Sequence, residues 1–581
     1  MKMENIKINK GPNLPILVKE VTKMRSLNFL DGSMSMARIE DVFERLTQFF
    51  PREEVYEIKI SNLNTKKDIL SSIFEKLSKK RKEYAQFYTH QELVDFIFDN
   101  IEIDKNSKIL DPACGAGAFL LGALKRNNEN INNVYGIDID PLALKLCKLN
   151  IELNNDIQIN NLLNKNTLKK LNLEKDFGDV VDSGGFDVII GNPPFMNLKR
   201  DNEDFSLEDP LFKKVVNGVA NSATLMIVKS FELLKEGGFL GFVLPKNLAR
   251  VNSFIKLRKF ILENFKIKII LDLNHHFKDV RGDQMILILQ KEKSEEKRLN
   301  NKVLVIPYKK NMGFDKAESY SHSYKLDQED FLKYSFFPIF SNPDVLKLAN
   351  KMLQIDKKLK DYGEIFRGIS ISSSHPSLSH DLKGTSKVCF RGDSIKRFGI
   401  KYPLYIDVSI LGNGELTKAE RLKKDKIILQ NICSKEGGIF ATNSSKEELS
   451  LDTVTNIIPE DLSLLKYFTG LFNSKISNFF MIFVIYLNSN FTMHTDKTYI
   501  GEMPILIPDK NELNVINKLV DNLLSEKDKY SEEFFNIYNK LNQHLYRVYG
   551  FDNSEIKIIE ESLTQAMSKK QNGRTHEQFY G

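Results

Sequence analysis

Between residues 84 and 291 the chain alternates short apolar runs with longer stretches whose apolar residues return every three or four positions. A repeat near 3.6 marks a helix face, and a short continuous apolar run between turn residues marks a buried strand. Strands are expected at 108–110, 134–138, 157–159, 186–190, 240–244, 267–271 and 285–290, with helices over 142–149, 223–235 and 254–264. This predicts an α/β domain with a doubly wound, seven-stranded Rossmann-like sheet, in which ligands sit beyond the carboxyl ends of the strands. A charged connector, Lys291-Glu292-Lys293-Ser294-Glu295-Glu296-Lys297-Arg298, and one more strand at 303–308 lead to a boundary near residue 330. The expected organisation is a helical extension over 1–80, the α/β domain over 81–330, a second, α+β domain over 331–565 with a long helical stretch at 513–549, and a polar, disordered tail over 566–581.

Two breaks in this alternation carry chemistry. The run Ile109-Leu110-Asp111-Pro112-Ala113-Cys114-Gly115-Ala116-Gly117 is a strand that turns through two glycines into a helix. Gly115 and Gly117 allow close backbone approach to a ligand. Asp111 offers an acceptor suited to a cationic ammonium rather than to a phosphate. About twenty residues on, Val134-Tyr135-Gly136-Ile137-Asp138 ends in an acid, at the strand end that holds ribose hydroxyls in nucleotide-binding α/β folds. The loop reads G-A-G-A-F-L and lacks the G-x-G-x-x-G of a pyrophosphate cradle, so S-adenosylmethionine fits better than a dinucleotide.

The second break is Asn192-Pro193-Pro194-Phe195, directly after Phe186-Asp187-Val188-Ile189-Ile190. A planar amino group is a poor nucleophile because its lone pair is delocalised. The Asn192 side-chain oxygen and the Pro193 carbonyl can each accept one N–H and localise that lone pair. The prolines, Pro193 and Pro194, stiffen the backbone, and Phe195 offers a face for stacking a planar acceptor.

With these residues in order, the chain resembles the S-adenosylmethionine-dependent adenine-N6 DNA methyltransferases whose target-recognition domain follows the catalytic domain. Gln86-Phe87-Tyr88-Thr89-His90 is similar to the family's segment that closes over the methionine end of the cofactor, with His90 where the family usually has Pro. Leu233 to Pro245 is similar to its helix, Gly-Gly turn and fifth strand. The resemblance implies cofactor contacts from Gln86, Tyr88, Thr89, Asp111, Ala113, Gly115, Gly117 and Asp138, with Asn166 at the cofactor's adenine. It also implies catalysis by Asn192 to Phe195 and Phe277 against the target base. Beyond residue 331, Ile365 to Ser370, Phe390 to Arg397, Tyr467 to Ile476 and Tyr499 to Ile505 resemble an opening strand, a charged turn, and the helix and strand of a TaqI-like recognition domain. The partner implied is double-stranded DNA, its target adenine flipped out of the stack. The resemblance implies either the protective partner of a separately encoded restriction endonuclease or a solitary epigenetic methylase. A ribosomal-RNA base or protein-glutamine methyltransferase remains the alternative, since both use the same tetrapeptide.

Composition adds little beyond this. The 581 residues, 41% hydrophobic, can build two or three cores. Net charge is +7 from 84 basic and 77 acidic residues, so any DNA footprint must be local. Lys199 and Arg200 after the tetrapeptide, and Arg391, Lys396 and Arg397 in the second domain, are the candidate DNA contacts. Cys114, Cys147, Cys389 and Cys433 lack metal-ligand spacing, so no metal is expected. Cys114 reads as a packing residue, because methylating an exocyclic amine needs no covalent adduct. The longest apolar run, Phe479 to Leu487, is too short to span a bilayer, and a cytoplasmic protein is expected. Glu57-Ile58-Lys59 superficially offers a nuclease-like pair, but no second carboxylate accompanies it.

Overall fold

The computed structural model describes residues 89–155, 157–169, 171–198, 209–218, 220–274, 282–308, 320, 322–490 and 492–567. Gln86, Tyr88, Lys199, Arg200 and Phe277, with the extension over 1–80 and the tail from Ser568, lie outside the described residues. The chain divides into two compact units, Met1–Ile339 and Phe340–Gly581.

In the first unit, the elements run α1 (Gln91–Asp99), β1 (Ile109–Asp111), α2 (Ala118–Arg126), β2 (Val134–Asp138), α3 (Pro141–Asn155), β3 (Leu162–Asn164), α4 (Leu173–Asp182), β4 (Phe186–Gly191), β5 (Asn197–Leu198), α5 (Pro210–Val215), β6 (Ala220–Asn221), α6 (Ser222–Leu233), β7 (Leu234–Pro245), α7 (Ile255–Asn264), β8 (Phe265–Asn274), β9 (Gln284–Lys291), α8 (Glu295–Leu299), β10 (Lys302–Pro307) and β11 (Tyr324–Asp327). Nine strands form one sheet in the order β11-β10-β8-β9-β7-β4-β1-β2-β3. The pairs β2–β3, β1–β2, β1–β4 and β4–β7 are parallel, while β9 runs antiparallel to both β7 and β8. The expected seven-strand core is present, and β10 and β11 extend it beyond β8. The third strand is displaced: Ile157–Ile159 was the expected stretch, yet the ladder to β2 is made by Leu162–Asn164. Ile159 is fully buried, so its apolar character serves packing rather than pairing.

Strands β1 and β2 are buried along their whole length, which is why each reads as an apolar run up to the acid that ends it. Ile109, Val134, Val188, Ile190, Val243 and Ile286 of the sheet share one core with Val94, Ile97, Phe119, Leu120, Cys147 and Ile151 of α1, α2 and α3. Arg126 in the last turn of α2 bonds Asp95 at 2.9 Å and Asp99 at 3.0 Å, tying α1 to α2. Helix α1 follows Thr89, so this packing fixes where Thr89 stands relative to the sheet.

The second unit is α+β. One four-stranded sheet has the order 363–367, 454–459, 426–430, 441–444, and another the order 378–379, 404–406, 387–390, 449–450. The helices Leu465–Asn473, Lys475–Phe479, Lys510–Ser525, Glu532–Val548 and Asn553–Met567 belong to the same unit. Three expectations need correction. The stretch 513–549 is two helices, not one, because residues 526–531 leave helical geometry. The last helix runs to Met567, buried at 2%, past the expected start of the tail at 566. Tyr499–Ile505 contains a 3₁₀ turn over Ile500–Glu502 and a single bridge from Pro504 to Lys358 instead of a strand. Pro504 has no N–H to continue a ladder. Among the described residues no single helix is long and apolar enough to cross a membrane, and Phe479 to Val484 are buried.

Candidate active site

The carboxyl ends of β4, β1 and β2 are adjacent in the sheet and carry Asn192, Asp111 and Asp138. Asp111 is 1% exposed, and its Oδ1 accepts the Ala113 N–H at 3.0 Å. Burial, with the nearby Asp138 charge adding, pushes its carboxyl up to about 8. A buried carboxylate with this little compensation favours a cation beside it. Gly191 makes the close approach of β4 possible, since a Cβ there would stand 2.8 Å from Asp111 Oδ1. Sequence reading missed Gly191, although its place immediately before Asn192 was the available signal.

The loop after β1 is held from several sides. Gly115 (φ +51°) and Gly117 (φ +91°) take left-handed conformations. They serve different ends. A Cβ on Gly117 would come within 2.7 Å of Cys147 Sγ, whereas one on Gly115 would meet nothing within 4 Å. Gly117 therefore packs the loop against α3, and Gly115 faces open space of the kind a ligand occupies. Asp138 Oδ2 accepts the Gly115 N–H at 2.8 Å and its Oδ1 the Asp140 N–H at 2.9 Å. Burial raises the Asp138 carboxyl to about 6.

Three further side chains, none singled out by the sequence, complete the cradle. Thr167 donates to the Pro112 carbonyl at 2.6 Å, and Asn150, fully buried, donates to the Ala116 carbonyl at 2.9 Å. Ile139 is 42% exposed between the two buried acids Asp138 and Asp140, an apolar face beside the Asp138 carboxylate. Its signal was the alternation Ile137-Asp138-Ile139-Asp140. The Asn166 amide oxygen accepts the Leu168 N–H at 2.9 Å, and an amide oxygen, with two lone pairs, can take a second donor as well. Cys114 is buried against Cys147, and that contact together with burial raises its thiol well above the ordinary range. It is held as a neutral packing group.

On the acceptor side, Asn192 Nδ2 donates to Thr89 Oγ1 at 3.1 Å. That bond orients the amide and leaves Oδ1 as its other end. Thr89, expected at the cofactor, is thus placed against the tetrapeptide. Pro193 is buried and Phe195 half-buried. Among the described residues no group donates to Asn192 Oδ1 or to the Pro193 carbonyl, whereas the Pro194 carbonyl accepts the Ser222 hydroxyl. The two free acceptors are the pair needed for one amino group.

The candidate DNA contacts of the second unit separate by exposure. Lys396 is exposed and Arg391 is partly exposed, its Nε 3.6 Å from Asp393. Arg397 is a correction: only 7% exposed, it lies over the rings of Phe440 at 5.4 Å and Tyr538 at 5.0 Å. It is a packing residue: the strand Ile395–Lys396 ends before it, and in the turn that follows its guanidinium is buried against those two rings. Arg397→Ala should therefore lower stability by about 2 kcal/mol through lost packing and cation–π contact, and Lys396→Ala by less than about 0.5 kcal/mol. Calorimetric melting of the two variants checks this ordering.

Residues 65–336 match the model of the N-6 DNA methylase family, and residues 387–505 that of the TaqI-like C-terminal specificity domain. The chain carries an N-6 DNA methylase domain followed by a TaqI-like specificity domain. Its relatives include the type II methyltransferase M.VspI of Vibrio sp. (strain 343), 28% identical over 38% of this chain and 52% of that one. The methylase subunit of the type I restriction enzyme MjaVII of Methanocaldococcus jannaschii is 27% identical over 61% of this chain and 60% of that one. The chain spans 25–60% of the length of the curated relatives it matches. Among solved structures, the type IIL restriction-modification enzyme MmeI in complex with DNA has the same fold, with TM-score 0.56 and 13% identity over 89% of this chain and 84% of that one.

The N-6 DNA methylase domain has a pH signature. The Asp111 carboxyl is raised from 3.8 to about 8, so the folded state binds its proton more tightly than the unfolded chain. The stability this contributes is full below the unfolded value and is lost as pH rises to about 8. Asp138, raised to about 6, adds to the loss over the lower part of that window. The ligand-free protein should thus lose melting temperature between pH 6 and 8, and Asp111→Asn should remove that part of the decline. A bound cationic ligand should flatten it as well. Parallel slopes for wild type and Asp111→Asn in scanning calorimetry would refute the assignment.

Proposed function

We propose that this chain is a site-specific DNA methyltransferase that moves a methyl group from S-adenosylmethionine to the N6 amino group of an adenine flipped out of duplex DNA. The observation that carries this reading is the pair of free acceptors, Asn192 Oδ1 and the Pro193 carbonyl, one strand away from a buried acid and a glycine loop facing open space. When bound, S-adenosylmethionine supplies the electrophilic methyl group. Asp111 holds its ammonium, Asp138 its ribose hydroxyls, Ile139 the face of its adenine and Asn166 an edge of that ring. Gly115 and Ala113 shape the loop beneath it, and Gly117 anchors that loop on Cys147.

The two acceptors take the N–H groups of the target amine, drawing nitrogen from planarity so that its lone pair points at the methyl carbon. Phe195 stacks on the flipped base. Stacking on an aromatic ring is worth roughly 1–3 kcal/mol, the same order as the cost of extruding the base. Proximity and orientation supply most of the acceleration, and the proton leaves to water afterwards.

In this reading residues 81–330 are catalytic, with Phe277 against the target base, and 331–565 read the DNA, with Arg391 and Lys396 as contacts. Duplex DNA is favoured over ribosomal RNA or protein by the TaqI-like specificity domain. A separately encoded endonuclease as partner, and a cytoplasmic place of action, accompany the proposal. The test is incubation with S-adenosylmethionine and unmethylated genomic DNA beside ribosomal RNA, followed by nucleoside mass spectrometry and single-molecule sequencing. N6-methyladenine at one recurring sequence is the expected result. Unmodified DNA with intact cofactor binding would transfer the reading to RNA or protein.

A further inference from the structure

The tetrapeptide presents three consecutive acceptors: Asn192 Oδ1, the Pro193 carbonyl and the Pro194 carbonyl. A target amine has only two N–H groups. Neither proline can offer a neighbour an N–H, so nothing in the local backbone distinguishes the second acceptor from the third. The distinction comes from α6. Ser222, 1% exposed at the first position of that helix, donates its hydroxyl to the Pro194 carbonyl and accepts the Met196 N–H on Oγ at 2.9 Å. Its own N–H donates to the Met196 carbonyl at 2.9 Å. Next to it, β5 and β6 pair antiparallel through Asn197 with Asn221 and Leu198 with Ala220. Asn221 caps α6 by accepting the Ala223 N–H at 3.1 Å, which fixes the helix end from which Ser222 projects.

We propose that Ser222 is a positioning residue that fixes the acceptor register of the tetrapeptide, occupying the Pro194 carbonyl so that the target amine meets only Asn192 Oδ1 and the Pro193 carbonyl. The proposal rests on the amino-methyltransferase reading above. It is also independent of which macromolecule carries the amine. One hydroxyl serves both roles: its proton closes the third acceptor, and its lone pair holds Met196, so the loop cannot rotate a different carbonyl into the site. Alanine removes both contacts without adding bulk. Threonine keeps the hydroxyl.

The experiment compares wild type, Ser222→Ala and Ser222→Thr in the full chain. The expected result is a kcat lowered about tenfold in Ser222→Ala with KM for the acceptor and Kd for S-adenosylmethionine unchanged, and most of kcat restored in Ser222→Thr. Hydrogen exchange at the Met196 amide, protected in wild type and faster in Ser222→Ala, reads the clamp without turnover. Wild-type kcat in Ser222→Ala overturns the proposal, as does unchanged Met196 exchange. A parallel loss of kcat, cofactor affinity and melting temperature also overturns it, since that reports general loosening. Should wild type methylate RNA or protein instead of DNA, the DNA reading falls while the same comparison on that acceptor decides the role of Ser222. With no acceptor modified at all, Met196 exchange decides it.

Discussion

Asn192→Ala should lower kcat for methyl transfer by about 10²–10³-fold while leaving the Kd for S-adenosylmethionine within about threefold of wild type. The reason is geometric. Asn192 follows the end of β4 and, in the proposed mechanism, contributes one of two acceptors that polarise the amine. Its only described side-chain contact is the 3.1 Å bond to Thr89, so its removal leaves the Asp111 and Asp138 contacts of the cofactor loop in place. Losing one preorganised polar partner of a developing charge costs this order of rate because it acts in the transition state more than in the ground state. Burst kinetics with isothermal titration of the cofactor separates the two quantities. Retained turnover in Asn192→Ala would end the proposed mechanism.

Asp138→Ala should act in the opposite pattern, raising the Kd for S-adenosylmethionine by about 10²-fold with little effect on DNA affinity. Its carboxylate does two things. In the proposed function it offers lone pairs to a ribose, and in the structure it accepts the Gly115 and Asp140 N–H groups at 2.8 and 2.9 Å. Truncation therefore removes a ligand contact and leaves two N–H groups of the loop without their acceptor, each costing about 1–3 kcal/mol where water cannot replace it. Asp138→Asn retains an acceptor oxygen and should lose about tenfold only. Calorimetric titration with cofactor, beside filter binding with DNA, checks both; equal weakening of cofactor and DNA binding would mean that Asp138 supports the whole domain rather than the cradle.

The sites of both variants are legible in the sequence because each lies at a strand end flagged by a local break. Asp138 ends a strand buried along its whole length, and Asn192 opens a proline pair after a strand that is buried at all but Asp187. Ser222 could not be found in that way. Nothing in Asn221-Ser222-Ala223 distinguishes it from an ordinary helix start, and its partner Pro194 is 28 residues away. Thr167 and Asn150 escaped for the same reason, since their partners Pro112 and Ala116 are 55 and 34 residues away. Arg397 shows the reverse error. A charged turn read as a surface, yet the second of its two adjacent cations, Arg397, packs against Phe440 and Tyr538, partners 43 and 141 residues away.

By itself, the sequence determined the doubly wound sheet and the two breaks in it, the glycine loop after β1 and Asn192-Pro193-Pro194-Phe195 after β4, since apolar periodicity and glycine or proline punctuation are local properties of a chain. Only the tertiary structure decided where the third strand pairs, which glycine packs and which faces open space, how Thr89 orients Asn192, and which carbonyls of the tetrapeptide remain free. Those depend on hydrogen bonds and contacts between segments tens of residues apart, whose partners are chosen by the packing of sheet and helices and leave no periodic trace along the chain.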